Sequence, residues 1–330
     1  MATTTTSQVA PGTQAFYDRN LLTRAVPADV HGRYGQKRPI AKKNGNQIKF
    51  RRYSALPPAL TPLTEGVTPG GSQLSVTDIT ATLAQYGDFI VLSDVVDMVN
   101  QDPVVTEATE VLGDQSGITI DQVRRDVLVA GTNVAYASGA ASRAAVINKI
   151  TATDLDKAIR FLKNQNAKFV KEGIDGSDKV GSGSVRKAYI ALVHPDVEFD
   201  LEQITGYRAV SDYGSKESVM EDEIGSYKNI RFVSSTNCKI FPDVTTVATG
   251  GFKTSGSGKN DVYATLIIAD NAYGVCPLAG AAMQTIVKEL GSGGSADPLN
   301  QRSSVGWKAM TTTKILNEAW MLRIESLATA

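Results

Sequence analysis

One stretch, QIKFRRYSALPPALTPLTEGVTPGGSQLSV at residues 47–76, decides how this chain is organised. It opens with the alternation of apolar and basic residues that is typical of a β-strand with one exposed face. Residues 56–71 then contain four prolines and three glycines, which exclude a helix or a central strand. Alternation resumes at residue 74 and runs to residue 92. The pattern therefore predicts a long two-stranded ribbon with an irregular, proline-rich tip.

This ribbon and the segment before it both need a surface to lie on. A lone two-stranded ribbon is marginally stable in water, so it must contact its own chain or another one. Upstream, residues 1–15 are expected to form a flexible tail, and residues 16–30 form a short, partly apolar leader that cannot bury itself. We expect the leader to be either a fraying end or an arm that lies across another surface.

Downstream of the ribbon the period changes to that of a helix. Asp102 is an acidic N-cap and Pro103 suits the first helical position, and apolar residues recur at helical intervals as far as Gly131. Such a helix is about 40 Å long. Gly113 and Gly117 each disfavour it by about 1 kcal/mol relative to alanine, which predicts a bend or break there.

The remainder is typical of a mixed α/β region followed by long strands. A small-residue linker is expected at 135–145, a helix from Thr153, and a short helix capped by His194. Predicted strands cover residues 188–193, 230–233, 263–269, 283–287, 305–313 and 319–324.

Composition excludes several classes of protein. The chain has 330 residues, of which 42% are apolar and 21% charged, which is typical of a folded soluble protein with one large or two ordinary domains. Its apolar runs are only a handful of residues long, whereas a membrane-spanning helix needs about 20. We therefore expect no contact with a membrane, and the Thr-rich N-terminus does not resemble a targeting signal.

Metal and thiol chemistry are also disfavoured. The chain has two cysteines, Cys238 and Cys276, and two histidines, His31 and His194, at spacings that do not suit a tetrahedral zinc site. We expect two buried free thiols and no metal or cofactor.

A net charge of zero hides an uneven distribution. Residues 1–60 contain ten basic residues against two acidic ones, and residues 61–140 contain eleven acidic residues against two basic ones. The basic stretch could bind nucleic acid phosphates, pair with the acidic segment of its own chain, or pair with that of a neighbouring copy. Its core consists of Lys42, Lys43, Lys49, Arg51 and Arg52.

A search for catalytic motifs indicates a protein that is not an enzyme. The glycine-rich residues 251–260 lack the order of a phosphate-binding loop. His194 with Asp196 and Glu198 leaves open the alternative of a mixed α/β enzyme, although a His-Pro pair before a helix is typical of a cap. The acidic run 221–223 is interpreted as a solvated turn.

Several motifs together resemble the major capsid proteins of tailed bacteriophages, over residues 16–325. The motifs are FYDRNLL (16–22), GQKRPI (35–40), FRRY (50–53), PLTEGVTP (62–69), YGDF (86–89), DPLNQR (297–302) and VGWK (305–308).

The resemblance implies an α+β phage major capsid fold. Its parts are an N-terminal arm at 1–45, an extended β-hairpin loop at 46–93, a peripheral domain with a long spine helix at 94–150, an inserted axial domain at 151–280, and peripheral return strands at 281–330. In such proteins the arm and the extended loop reach over adjacent subunits.

The function implied is a structural protein that self-assembles into hexamers and pentamers of an icosahedral shell around packaged double-stranded phage DNA. It would be assembled in the bacterial cytoplasm and remain in the virion. A separate scaffolding protein, a portal and decoration proteins are the expected partners. An encapsulin-like cargo shell shares the fold and stays open as an alternative.

Candidate contact residues follow from the resemblance and from the charge pattern. In the arm they are Phe16, Tyr17, Leu21, Leu22 and Arg24. In the extended loop they are Arg51, Arg52, Leu56, Pro57, Pro58, Leu60, Pro62 and Leu63. The candidate acidic partners on an adjacent copy are Asp94, Asp97, Glu107 and Glu110. No catalytic, cofactor-binding or metal-binding residues are expected.

Overall fold

The computed structural model describes residues 29–63, 65–68, 70–95, 104–174, 184–214, 219–246, 250–256, 258–280, 283–293 and 297–330. In chain order its first elements are β1 (Gln36–Lys37), β2 (Gln47–Tyr53), β3 (Val76–Thr82), β4 (Ala84–Ser93), α1 (Val104–Val129), β5 (Val134–Tyr136), α2 (Ala152–Asn164), β6 (Tyr189–Val193) and α3 (Pro195–Glu202). They are followed by β7 (Tyr207–Ala209), β8 (Glu223–Tyr227), β9 (Ile230–Ser234), β10 (Ile240–Phe241), β11 (Val262–Ile268), β12 (Tyr273–Pro277), β13 (Gln284–Lys288), β14 (Arg302–Ile315) and β15 (Met321–Ser326).

The predicted ribbon is confirmed in its first half and wrong in its second. β2 pairs antiparallel with β3, with Phe50 opposite Ile79. Only Leu83 separates β3 from β4, and β4 pairs with β14 rather than with β2. The prediction failed because β14 offers β4 a partner along its whole length, which local alternation cannot reveal. The two adjoining strands therefore belong to two sheets. We call β2 and β3 the ribbon, and residues 54–75 the tip.

β14 is the centre of a five-stranded sheet. β4 lies along one side of it, and β13 and β12 lie along the other, with β1 beside β12. One face of this sheet is covered by α1, where Leu112 and Ile120 pack with Val305 and Trp307. The Trp307 indole donates a hydrogen bond to Gln115 of α1 at 3.1 Å.

The long helix is confirmed, but the predicted break is absent. α1 runs through 26 described residues, about 39 Å, without interruption at Gly113 or Gly117. Both glycines and Ser116 lie on the buried face of the helix. Packing of this face against the sheet outweighs the weak helical propensity of glycine. The predicted start at Asp102 lies outside the described residues.

The second sheet has eight strands and forms the main core. Its order is β5-β15-β11-β6-β9-β8-β7, with β10 beside β11. On one face α2 and α3 contribute Leu155, Leu162 and Leu201 to the same cluster as Phe232. The other face packs with residues from the end of α1, including Leu128.

Smaller predictions in this region have mixed outcomes. The predicted strands at 188–193, 230–233 and 263–269 are confirmed within a residue or two at each end, and α2 begins after a capping box between Thr151 and Asp154. The predicted linker at 135–145 was wrong at its start, because β5 pairs in parallel with β15 there. Cys238 and Cys276 are buried free thiols, as predicted.

Candidate assembly surfaces

The tip carries the most exposed large apolar side chains in the described part of the chain. Leu60 is 84% exposed and Leu63 78%. The six predicted contact residues of the tip are all exposed: Leu56, Pro57, Pro58, Leu60, Pro62 and Leu63. Exposed apolar patches on a folded protein mark surfaces that contact a partner.

The ribbon is seated on its own chain by one face only. The ring of Phe50 lies so close to Gly274 of β12 that any Cβ there would meet the Phe50 Cζ atom at 2.8 Å. Gly274 therefore lets the aromatic ring pack directly on the backbone. Tyr53, on the face opposite to Phe50, is 58% exposed.

The basic residues of the ribbon have an acidic neighbour in their own chain. Arg51 donates a hydrogen bond from Nε to the Asp78 carboxylate of β3 at 3.1 Å. This hydrogen bond, with the attraction of the same carboxylate, raises the pKa of the Arg51 guanidinium. Arg52 is exposed. The charge pattern left open whether the basic stretch binds nucleic acid, its own chain or a neighbouring copy. Arg51 pairs with an acidic residue of its own chain.

The candidate acidic partners are dispersed. Asp94 is half-buried and accepts a hydrogen bond from the Val95 amide at 2.8 Å. Glu107 is exposed on the first turn of α1, and Glu110 is half-buried one turn later. Asp97 lies outside the described residues, as do the five predicted arm contacts Phe16, Tyr17, Leu21, Leu22 and Arg24.

A second apolar surface, which sequence analysis missed, lies on the face of β4, β14 and β13 that α1 does not cover. Phe89, Gly306 and Ile286 stand in one row across the three strands. Phe89 is 66% exposed and Ile286 39%. Lys288 and Lys308 stand at the two sides of this row. We call this surface the outer groove.

The groove exists because its central residue is glycine. A Cβ on Gly306 would meet the Cβ of Phe89 at 2.8 Å and the Asp88 carbonyl oxygen at 3.0 Å. The resulting concavity has a volume of about 740 Å³. The alternation in β13 and β14 was visible in the sequence, but which face α1 covers was not.

The described chain begins at a polar junction on α1. Asp29 forms an ion pair with Arg124, and the His31 ring bonds to the Asp121 carboxylate at 3.0 Å. Burial acts to raise the pKa of Asp121, but hydrogen bonds from His31 and from Asn237 outweigh it and hold that pKa below its ordinary range. This junction fixes residues 29–31 to the helix.

His194 has the contacts of a helix cap. Its Nδ1 atom accepts a hydrogen bond from the Asp196 amide at 3.2 Å, which caps α3 as predicted. The Asp196 carboxylate is engaged by the Lys253 ammonium and by the Tyr263 hydroxyl. Burial, reinforced by Lys253 and opposed by Asp196, lowers the pKa of His194.

The interpretation of residues 221–223 as a solvated acidic turn was wrong for its last member. Glu223 is buried on β8 and accepts two hydrogen bonds of 2.6 Å from Arg231, which is also buried. The Tyr213 hydroxyl adds a third at 2.9 Å. Only Glu221 and Asp222 are exposed, and both lie near Arg33. The partner of Glu223 lies on the adjacent strand, which local composition does not reveal.

The described residues contain neither a cluster of metal-ligating side chains nor a helix suited to crossing a membrane. Within the described ranges, His, Cys, Asp and Glu side chains nowhere gather in threes or more around a space fit for a metal ion. The helices in that same part of the chain are too short or too polar to cross a membrane.

Comparisons with known proteins give a consistent result. The model of a family described as "Phage capsid protein" matches residues 76–324. No curated protein matches the sequence. Among solved structures, the capsid of Ralstonia phage GP4 has a TM-score of 0.64 at 11% identity, covering 90% of this chain and 88% of that one. The capsid asymmetric unit of cyanophage Pam1 has a TM-score of 0.61 at 12% identity, covering 94% and 93%. The capsid of cyanophage P-SCSP1u has a TM-score of 0.58 at 14% identity, covering 90% and 87%.

Proposed function

The chain belongs to the phage capsid protein family and is a structural protein of the virion shell, and from this premise we propose how its copies assemble. They form hexamers and pentamers that close an icosahedral shell around packaged double-stranded DNA. Rings of this kind need two different surfaces on each copy, because each copy contacts its neighbours head to tail.

The observation that supports this assembly is the uncovered tip. Large apolar side chains, above all Leu60 and Leu63, project from a ribbon whose body is seated on the chain by Phe50. A neighbouring copy that covers them removes apolar area from water, which favours association. The prolines limit the conformations of the tip before it binds, so less entropy is lost on contact.

The parts of the chain have separate roles in this proposal. Residues 1–45 act as an arm and 46–93 as an extended loop toward neighbouring copies. Residues 94–150 with 281–330 form the peripheral domain around α1, and 151–280 form the axial domain near the capsomer centre. A scaffolding protein directs closure, a portal occupies one vertex, and decoration proteins bind the finished shell.

The role is structural rather than catalytic. The contacts of His194 support this part of the proposal, because its ring nitrogen caps α3 and the neighbouring Asp196 carboxylate is engaged by two other side chains. These are the contacts of a residue that stabilises the end of a helix.

Electron microscopy of the full chain, expressed with and without its scaffolding partner, tests the proposal. We expect closed shells or rings of five and six subunits. Particles filled with double-stranded DNA after packaging support the coat function, whereas particles that enclose a protein cargo instead support the encapsulin-like alternative. A chain that stays monomeric with its scaffolding partner present contradicts the proposal.

A further inference from the structure

We propose that a concavity at the base of the ribbon binds phosphate groups, which Arg38 and Arg52 hold. The concavity has a volume of about 600 Å³ and lies between the inner face of the ribbon and the body of the chain. We call it the basal pocket. The lining residues that carry the argument are Gln36, Arg38, Phe50, Arg52, Asn317 and Trp320. The inference goes beyond the proposed function, because this pocket is formed within one copy.

The inner face of the ribbon brings Arg52 to the basal pocket. Successive side chains of a strand point to opposite faces, so Arg52 lies on the same face as Phe50. Phe50 is the residue that packs on Gly274 of β12. β1 supplies a second wall, because Gln36 lies beside Gly274 and the Arg38 amide donates a hydrogen bond to the same strand at 3.0 Å. The two arginines therefore reach one pocket from two different elements.

The basal pocket is positively charged. Its lining contains no acidic residue and four basic ones, which are Arg38, Lys49, Arg51 and Arg52. Arg51 pairs with Asp78. Arg38 and Arg52 form no ion pair with any residue that the structure describes. Two guanidinium groups without a carboxylate partner favour an anion in the space that they line.

The remaining donors of the pocket suit a phosphate better than a carboxylate. A guanidinium group fits the oxygens of either anion, but a phosphate offers more acceptor oxygens. The Gln36 amide adds donors to those of the arginines. The Asn317 amide oxygen accepts a hydrogen bond from the Ala319 amide at 3.2 Å, which leaves the Asn317 NH2 group as a further donor. Asn271, which also lines the pocket, donates instead to Asp270 at 2.7 Å.

Two aromatic side chains give the pocket an apolar surface beside its charges. They are Phe50 and Trp320, and the Trp320 indole is fixed by a hydrogen bond to the Gln165 carbonyl at 3.2 Å. Aromatic rings next to arginines are typical of sites that bind a phosphate joined to a base. Arg38 and Arg52 are exposed, so a ligand reaches them from solvent. The same chemistry is offered by a small phosphate compound and by the backbone of a nucleic acid.

Calorimetric titration of the full chain with inorganic pyrophosphate tests the proposal. Sodium chloride holds the ionic strength constant, so that general screening does not change during the titration. We expect one pyrophosphate to bind per chain. Arg38→Gln and Arg52→Gln should each weaken binding at least about tenfold, because each removes a charge-assisted hydrogen bond. Arg52→Lys keeps the charge but loses the planar fork, so it should weaken binding less than Arg52→Gln.

Arg186→Gln is the matched control. Arg186 is exposed and lies outside the basal pocket, and its substitution removes the same charge. We expect this variant to bind pyrophosphate as the unmodified chain does. Thermal unfolding without ligand should be nearly the same in all these variants, because the three arginines are exposed. A loss of binding is then not a loss of folding.

Two further titrations distinguish the sources of the phosphate. The probes are deoxyadenosine monophosphate and a short duplex DNA. Tighter binding of the duplex, with an affinity that falls steeply as the salt concentration rises, identifies the backbone of a nucleic acid. Tighter binding of the monophosphate identifies a small compound. In both cases the affinity should depend on Arg38 and Arg52.

Three results would overturn the basal pocket as a phosphate site. The first is an unmodified chain that does not bind pyrophosphate. The second is binding that both Arg38→Gln and Arg52→Gln leave unchanged. The third is an equal loss in Arg186→Gln, which would mean that only the overall charge matters. The titration counts ligand per chain, so its result does not depend on whether the copies close into a shell.

Discussion

The eight-stranded sheet buries its apolar side chains, whereas the ribbon and its tip leave most of theirs exposed. All five residues of β6 are buried, and its neighbours β9 and β11 are almost completely buried as well. In the ribbon only Ala81 of β3 is fully buried, and the tip beyond it keeps its leucines in water. The first region is completed within one chain. The ribbon is held on its own chain by one face, through Phe50, and its tip is left for another surface to cover.

This contrast separates the stability of the single folded chain from the stability of contacts between copies. Substitutions in the eight-stranded sheet should change the free energy of unfolding of the single chain. Substitutions in the tip should leave that free energy unchanged and alter association between copies. Substitutions in the two regions can test this division between folding and association.

Phe232→Ala should be the most damaging change to the isolated chain. The Phe232 side chain is completely buried on β9, and its ring lies 6.2 Å from that of Tyr207. Removing it leaves a cavity, which should lower the free energy of unfolding by about 3–5 kcal/mol. Urea denaturation followed by circular dichroism measures the loss. A loss below about 1 kcal/mol, typical of surface positions, would contradict the division.

Glu223→Gln should cost somewhat less, about 3 kcal/mol, because it leaves the buried charge of Arg231 without its carboxylate. Glu221→Gln is the matched control, since Glu221 is largely exposed and its ion pair with Arg33 is at the surface. We expect the control to unfold within about 0.5 kcal/mol of the unmodified chain. Equal effects of the two substitutions would mean that Glu223 is not part of the core.

His194→Asn should remove a pH dependence while keeping the helix cap. Burial holds the folded pKa of His194 below its ordinary value of 6.5, so the unfolded chain takes up the proton first as the pH falls. Stability should therefore decline as the pH falls below about 6.5, and level off below the folded pKa. Asparagine is a good N-cap and does not titrate. Unfolding measured between pH 7 and pH 5 should show the decline only in the unmodified chain, and an equal decline in both would contradict the assignment.

Leu60→Ser with Leu63→Ser should have the smallest effect on the single chain, within about 0.5 kcal/mol, because both side chains are exposed. The same change should reduce assembly strongly, since it removes the apolar contact of the tip. Phe199→Ser is the control, because Phe199 is 56% exposed but lies on α3, away from the tip. Sedimentation of particles, measured beside denaturation of the single chains, separates the two effects. Normal assembly of the double variant would contradict a role for the tip.

Local patterns in the sequence predicted the elements of both regions well. Alternation located the ribbon, continuous apolar runs located β6 and β11, apolar residues at helical spacing located α2, and the His194 cap located α3. These features depend on residues that are only a few positions apart, so they can be recognised in the sequence itself. The exposed tip was predicted for the same reason, because its prolines exclude a ladder of hydrogen bonds.

Features that depend on distant partners were missed. Glu223 was placed in solvent because its neighbours are acidic, while its partner Arg231 becomes adjacent only when β8 pairs with β9. β4 was assigned to the ribbon because its true partner, β14, lies about two hundred residues later. The outer groove depends on which face of that sheet α1 covers. Register and layer order arise from tertiary packing, so no local pattern predicts them.

The junction at Leu83 has a mechanical consequence. Because β3 runs into β4 with one residue between them, a pull on β3 acts along β4, at right angles to the ten residue pairs that join β4 to β14. Antiparallel hydrogen bonds lie perpendicular to the strands, so such a force shears them all at once. A force across the strands would instead peel them apart one by one. Tension carried by β3 is thus resisted by the whole β4–β14 pairing under α1, which gives the most exposed segment of the described chain a stiff attachment to the sheet.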